Sequence, residues 1–250
     1  MRRDFLKASL ALTATTLAAA TLIGCEKTPE EKPAPPPVPP APPPPPPPAS
    51  SAAASEDIDW MVVDPPENVP ASVRVSLVTD KGEIVLVLNG KAAPITVNNF
   101  LRYLDSGKLA GSDFWRAAHA GPVGFIQATM RGPTFPPIKH EPTSKTGLSH
   151  TDGAISMSRF DPGTATADFT ISVGDNCNLD AGREGSDDKL GYAAFGHVSK
   201  GMDVVKAILK GQIDSHTREG GWSGQMLAAP IEITGARRIG ETFADSSASA

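Results

Sequence analysis

The chain has 250 residues, among them 25 prolines and 23 glycines, and carries a formal net charge of −5. That balance leaves no basic footprint for nucleic acid, and two cysteines, Cys25 and Cys177, cannot build a disulfide scaffold. The length suits one domain of ordinary size plus appendages.

Residues 1–24 read as an export address. Arg2-Arg3-Asp4-Phe5-Leu6-Lys7 is a basic start, and Ala8 to Ile23 is an Ala- and Thr-rich run too short and too polar for a membrane span. The start resembles a twin-arginine export signal, with Met1 where that pattern prefers Ser or Thr. Leu22-Ile23-Gly24-Cys25 resembles a bacterial lipobox, which implies a lipid anchor on Cys25 and an exported, periplasm-facing protein of the cell envelope. The plainer alternative for Cys25 is a small residue at an ordinary cleavage site. Residues 25–57 hold no core-forming pattern. Pro29 to Pro48 is nearly all Pro and Ala, and reads as a polyproline II spacer rising roughly 3 Å per residue. The other reading of that tract is a ligand for an aromatic groove.

The pattern of a folded domain spans 58–240. Val73, Val75 and Leu77 alternate with Arg74 and Ser76, a half-buried strand. Asp80-Lys81-Gly82 is turn chemistry, and Ile84 to Leu88 returns as the second strand of a hairpin. Pro94 opens a helix where its missing N–H costs nothing; Val97, Phe100, Leu101 and Leu104 follow at helical spacing, and Gly107 suits the cap. From Asp113 to Gln127, an aromatic run Phe114-Trp115 leads to Arg116, a loop holds Gly121, Pro122 and Gly124, and a second apolar run delivers Gln127. Two strands ending in an Arg and a Gln place a fixed cation and an amide on one wall of a groove. Gly201 to Val205 opens a second helix, Ile231 to Ile239 is a last strand, and residues 241–250 read as a frayed tail.

These segments are similar, in unbroken order, to the cyclophilin family of peptidyl-prolyl isomerases. The resemblance rests on Ala93-Pro94 to Asn99-Phe100, Phe114 to Gln127, Gly153-Ala154-Ile155-Ser156-Met157-Ser158, Ala167-Asp168-Phe169-Thr170-Ile171, Asn178-Leu179-Asp180 and Tyr192 to Val198. It implies a mainly β fold, a closed eight-stranded antiparallel barrel capped by two α-helices. It also implies a monomer that assists protein folding by acting on proline-containing polypeptide clients, with no cofactor and no metal. The five histidines show no ligand spacing with one another or with Cys177.

An X-Pro amide resists rotation because resonance gives its C–N bond double-bond character, a barrier of roughly 18–20 kcal/mol. A donor aimed at the imide nitrogen stabilises the twisted state, where the nitrogen recovers its lone pair. The resemblance assigns that role to Arg116, whose planar fork stays charged beside apolar surface, and gives Gln127 the substrate backbone. Phe114, Phe125, Ser158, Asp168, Phe169, Thr170, Leu179 and Tyr192 would surround the substrate. Several residues depart from the family. Gly124 stands where the family has the Phe that floors the proline pocket, with Phe125 as a neighbouring substitute. Thr170 replaces a second Phe, Asp168 a Gln, and Asn178 an aromatic. An ionised Asp168 near Arg116 would divert it into an ion pair. Two function classes follow: an isomerase, and a peptide-binding module with weakened catalysis.

Overall fold

The computed structural model describes residues 68–214 and 222–243; the export signal and the Pro/Ala tract lie outside the described residues. The first hairpin pairs β1 (Ser72–Thr79) with β2 (Gly82–Leu88) around Asp80-Lys81, so Val73, Val75 and Leu77 face the interior. Helix α1 (Pro94–Asp105) starts on Pro94 and buries Val97, Phe100, Leu101 and Leu104 along one face. Its N-terminus is held from a distance by Glu141, whose carboxylate accepts from the Ile95 and Thr96 amides at 3.2 and 2.8 Å. A carboxylate there both satisfies orphan donors and complements the helix dipole.

Strands β3 (Ser112–Ala120) and β4 (Val123–Thr129) form the central hairpin, and a single helical turn, α2 (Thr143–Thr146), follows. Then come β5 (Ala154–Met157), β6 (Asp168–Val173), a 3-10 turn (Cys177–Leu179), β7 (Ala193–Lys200) and α3 (Met202–Leu209). A two-residue strand β8 (Ile213–Asp214) and the long β9 (Met226–Thr242) complete the order. The sheet runs β1-β2-β7-β5-β6-β4-β3-β9, and β9 pairs back onto β1, so eight strands close a barrel with β8 added beside β9. The fold is the one the resemblance implied, with α2 as an extra turn.

Two local expectations change. The loop read around Gly121, Pro122 and Gly124 is only a two-residue turn, because Ala120 already pairs with Val123. The last strand is longer than Ile231 to Ile239: it pairs first with β3, then bends through register shifts to pair with β1 as far as Thr242. The interior is organised by aromatic rings. Phe100 of α1 packs against Phe169 and Phe195, each at 5.5 Å between centroids, and Phe114 meets Phe169 edge-on at 5.9 Å. Helix α1 therefore plugs the barrel with a ring, and the strands around it are held to one packing.

Candidate active site

Strand alternation decides which side chains reach the outer wall of the barrel. On β4, Ile126 and Ala128 are fully buried while Phe125 and Gln127 line an outer cavity of about 590 Å³. On β6, Phe169 and Ile171 point inward and Asp168 and Thr170 outward; on β5, Ile155 and Met157 point inward and Ser156 outward, with Ser158 just beyond the strand on the same wall. Arg116 would break this rule on a regular strand, since it stands two residues from the inward Phe114. A bulge between Phe114 and Arg116, present in the pairings with both β4 and β9, switches the alternation. Phe114 and Ala117 are both fully buried, and Arg116 emerges on the cavity wall directly across from Gln127. The bulge aims the cation.

The guanidinium is held by uncharged groups. Arg116 Nη1 donates to Gln127 Oε1 at 2.9 Å, while Nε and Nη2 both donate to Gln225 Oε1 at 2.8 and 2.5 Å. Two of its five N–H donors stay uncommitted, and the described residues give it no ion pair. Two aromatic rings lie within cation–π range: the Phe125 ring centroid is 5.0 Å from Arg116 Cζ and the Trp222 ring 4.9 Å. Burial lowers the Arg116 pKa to about 10, partly offset by Tyr192, so the group stays charged at neutral pH. Asp168 does not pin it. The Gln127 amide stands between, with Nε2 donating to Asp168 Oδ2 at 3.0 Å, and this relay orients the amide so that its oxygen faces Arg116.

The opposite wall comes from the loop after the 3-10 turn. Leu179 and Tyr192 line the cavity and are tied together by the Tyr192 amide donating to the Leu179 carbonyl at 3.0 Å. The loop returns so tightly that a Cβ on Gly191 would sit 2.4 Å from the Leu179 oxygen, at a φ of +64°. Arg159 fastens it: Nη1 and Nη2 grip the Asp188 carboxylate at 2.7 and 2.9 Å, Nε donates to the Gly191 carbonyl at 2.9 Å, and the charged fork holds Asp188 well below the usual carboxylate range. The floor between the walls is polar, a hydroxyl pair of Ser156 and Thr170 at 2.9 Å.

Residues 74–234 match the family model described as "Cyclophilin type peptidyl-prolyl cis-trans isomerase/CLD". The chain belongs to the cyclophilin family. It is 38% identical over 148 residues to the Dickeya dadantii peptidyl-prolyl cis-trans isomerase A, spanning 58% of this chain and 75% of that protein. It is 40% identical over 138 residues to a Streptomyces antibioticus peptidyl-prolyl cis-trans isomerase, spanning 54% and 81%. The crystal structure of a Cryptosporidium parvum cyclophilin type isomerase superposes with a TM-score of 0.52 at 18% identity, covering 68% of this chain and 99% of that one, a likeness of fold.

Of the site residues expected in this cyclophilin, Arg116, Gln127, Phe125, Ser158, Asp168, Thr170, Leu179 and Tyr192 converge on one cavity. Phe114 and Phe169 do not reach it. Both occupy the inner face of their strands and are fully buried in the aromatic core, so they back the wall without touching what the cavity holds. Position 124 is also an inward one: a Cβ there would meet the Ala118 carbonyl at 2.5 Å and Leu209 at 3.3 Å. Phe125, one residue on, supplies the wall aromatic. Gly124→Phe is accordingly expected to cost stability, read as a lower urea midpoint, because backbone oxygen cannot move aside. Sequence reading missed Trp222, Gln225, Arg159 and Phe160. Trp222 and Gln225 sit in a Gly-rich stretch far down the chain, where only the isolated Trp among glycines offers a sign.

Two buried histidines of this cyclophilin hold the same loop. His150 Nδ1 stands 2.6 Å from Asp180 Oδ1 while its Nε2 is buried with no hydrogen-bond partner, and His140 Nε2 stands 3.2 Å from the Leu190 carbonyl. Burial pushes both pKa values below the ordinary 6.5, although Asp180 pulls His150 the other way. Burial prevails at His150 because an imidazolium would leave a buried Nε2–H without an acceptor. A His whose folded pKa is depressed contributes its full stability above about pH 6.5 and loses it as pH falls, since the unfolded chain then binds more protons. Urea midpoints are expected to drop from pH 7 to pH 5, and to drop less in His150→Asn, whose amide donates to Asp180 without titrating.

Proposed function

We propose that this chain is a peptidyl-prolyl cis-trans isomerase, with Arg116 as the donor to the imide nitrogen. The observation that carries the reading is a guanidinium braced by two neutral amides, unpaired with any described carboxylate, beside an open cavity. The proline ring enters against Phe125, Leu179 and Tyr192, which fixes one side of the X-Pro bond. As the bond twists, the nitrogen pyramidalises and its lone pair accepts from an uncommitted Arg116 N–H. That interaction exists only in the twisted state, so it raises the rate and does not merely tighten binding. The Gln127 amide, locked by Arg116 and Asp168, sets the register of the substrate backbone. No covalent step and no proton transfer are involved.

The names of the relatives support the activity, and a second Cryptosporidium parvum structure of the same isomerase was obtained in the presence of the dipeptide Ala-Pro. The test is a protease-coupled isomerisation assay on the purified chain with Ala-Pro peptides. Rate enhancement is expected; peptide binding without it favours the second reading, a binding module, which the hydroxyl floor of Ser156 and Thr170 would suit.

The site serves the cell envelope in this proposal. The chain is exported on its Arg2-Arg3 signal, acylated on Cys25 and held off the membrane by its Pro/Ala tract as a monomer. Mass spectrometry of the mature N-terminus is expected to find a lipid-modified Cys25; an unmodified one removes the anchor.

A further inference from the structure

Arg116 is gripped twice. Gln127, its partner across the central hairpin, accepts one hydrogen bond, and Gln225, 109 residues further along, accepts two on a single oxygen. The segment that carries Gln225 is sewn to β3 beside the cation: the Ala117 amide donates to the Gln225 carbonyl at 2.8 Å, and the Gln225 amide donates to the Trp222 carbonyl at 3.2 Å. This closed turn delivers an amide oxygen to the guanidinium edge and the Trp222 indole to its face. Trp222 is supported in turn by Trp115, at 5.5 Å between rings.

We propose that Gln225 is a positioning residue for the isomerisation, holding the Arg116 fork rigid without neutralising it; the proposal rests on the isomerase reading. A long, exposed guanidinium has many rotamers, and a donor that must find the imide nitrogen only in the twisted state loses rate with each one. A carboxylate at 225 would grip equally well but would place a counter-charge against the very donor that stabilises the lone pair. An amide oxygen gives geometry without that compensation. The same logic holds at Gln127, and it keeps Asp168 one residue removed from the cation.

The test measures kcat and KM for an Ala-Pro peptide by exchange NMR on the full chain, for Gln225→Leu and Gln225→Glu, each with Arg116 intact and in an Arg116→Ala background. Gln225→Leu is expected to lower kcat about 10- to 100-fold, as for loss of hydrogen bonds to a charged group, with KM within about twofold. Its thermal midpoint stays near wild type, because the backbone bonds of the turn remain. In the Arg116→Ala background the same change is expected to cost nothing further. Gln225→Glu is expected to lose kcat at neutral pH and recover it as the new carboxyl is protonated. Wild-type kcat in Gln225→Leu, or an equal loss in both backgrounds, overturns the proposal. A wild-type chain without rate enhancement overturns the isomerase reading and this proposal with it, whereas an active wild type with unaffected Gln225 variants overturns this proposal alone.

Discussion

Arg116→Ala is expected to lower kcat/KM for Ala-Pro peptides by about 100- to 1,000-fold, the loss that follows removal of one preorganised donor from a partly buried site. The size rests on three features of the side chain. It lines the cavity with two N–H groups uncommitted, its other donors are fixed by Gln127 and Gln225, and the Phe125 and Trp222 ring centroids lie 5.0 and 4.9 Å from its guanidinium carbon. Desolvation weakens competition from water for the donor, and its pKa of about 10 leaves the charge in place at working pH. The barrel should survive the change, because Arg116 lies outside the aromatic core, and circular dichroism checks that the loss is catalytic.

Phe100→Ala is expected to cost about 3–5 kcal/mol, the range for removing a buried aromatic from a packed core. Phe100 is fully buried and its ring contacts both Phe169 and Phe195, so the cavity left behind is walled by rings that cannot collapse into it. For a domain of this size that loss lowers the melting temperature by roughly 6–20 °C. Activity measured well below the transition should change far less, since the catalytic wall is the other face of the strand that carries Phe169. Calorimetry and the isomerisation assay on one preparation separate the two effects.

Much of the fold was legible because each element follows a local rule. The alternation Val73, Val75, Leu77 and the Pro94-to-Gly107 helix hold as read, and the family pattern supplied the barrel that connects them. The site was legible as a set of positions and less so as a surface. Phe114 and Phe169 stand in the motifs beside Arg116 and Thr170, yet both face the core: strand alternation separates Phe169 from Thr170, and the bulge separates Phe114 from Arg116. The bulge that lets Arg116 escape the inward face has no sign in Asp113-Phe114-Trp115-Arg116, since it depends on how two other strands pair with β3. The expected Arg116–Asp168 pair does not form because of what lies between: Gln127 stands on β4, the strand that pairs with both β3 and β6, and its amide bonds to each side chain. Gln225 was invisible for the reason that makes it informative, its distance along the chain from the residue it holds.

The central claim is that Arg116 acts on the twisted bond and not on the bound peptide. Exchange NMR of an Ala-Pro peptide with wild type and Arg116→Lys measures the isomerisation rate and the dissociation constant in one sample. A lysine keeps the charge but, as a compact ammonium on a flexible stem, lacks the planar fork that meets Gln127, Gln225 and the cavity from fixed positions. The rate should therefore fall at least about tenfold while affinity stays within about threefold. A variant that loses affinity in step with rate, or that isomerises as fast as wild type, would contradict the account.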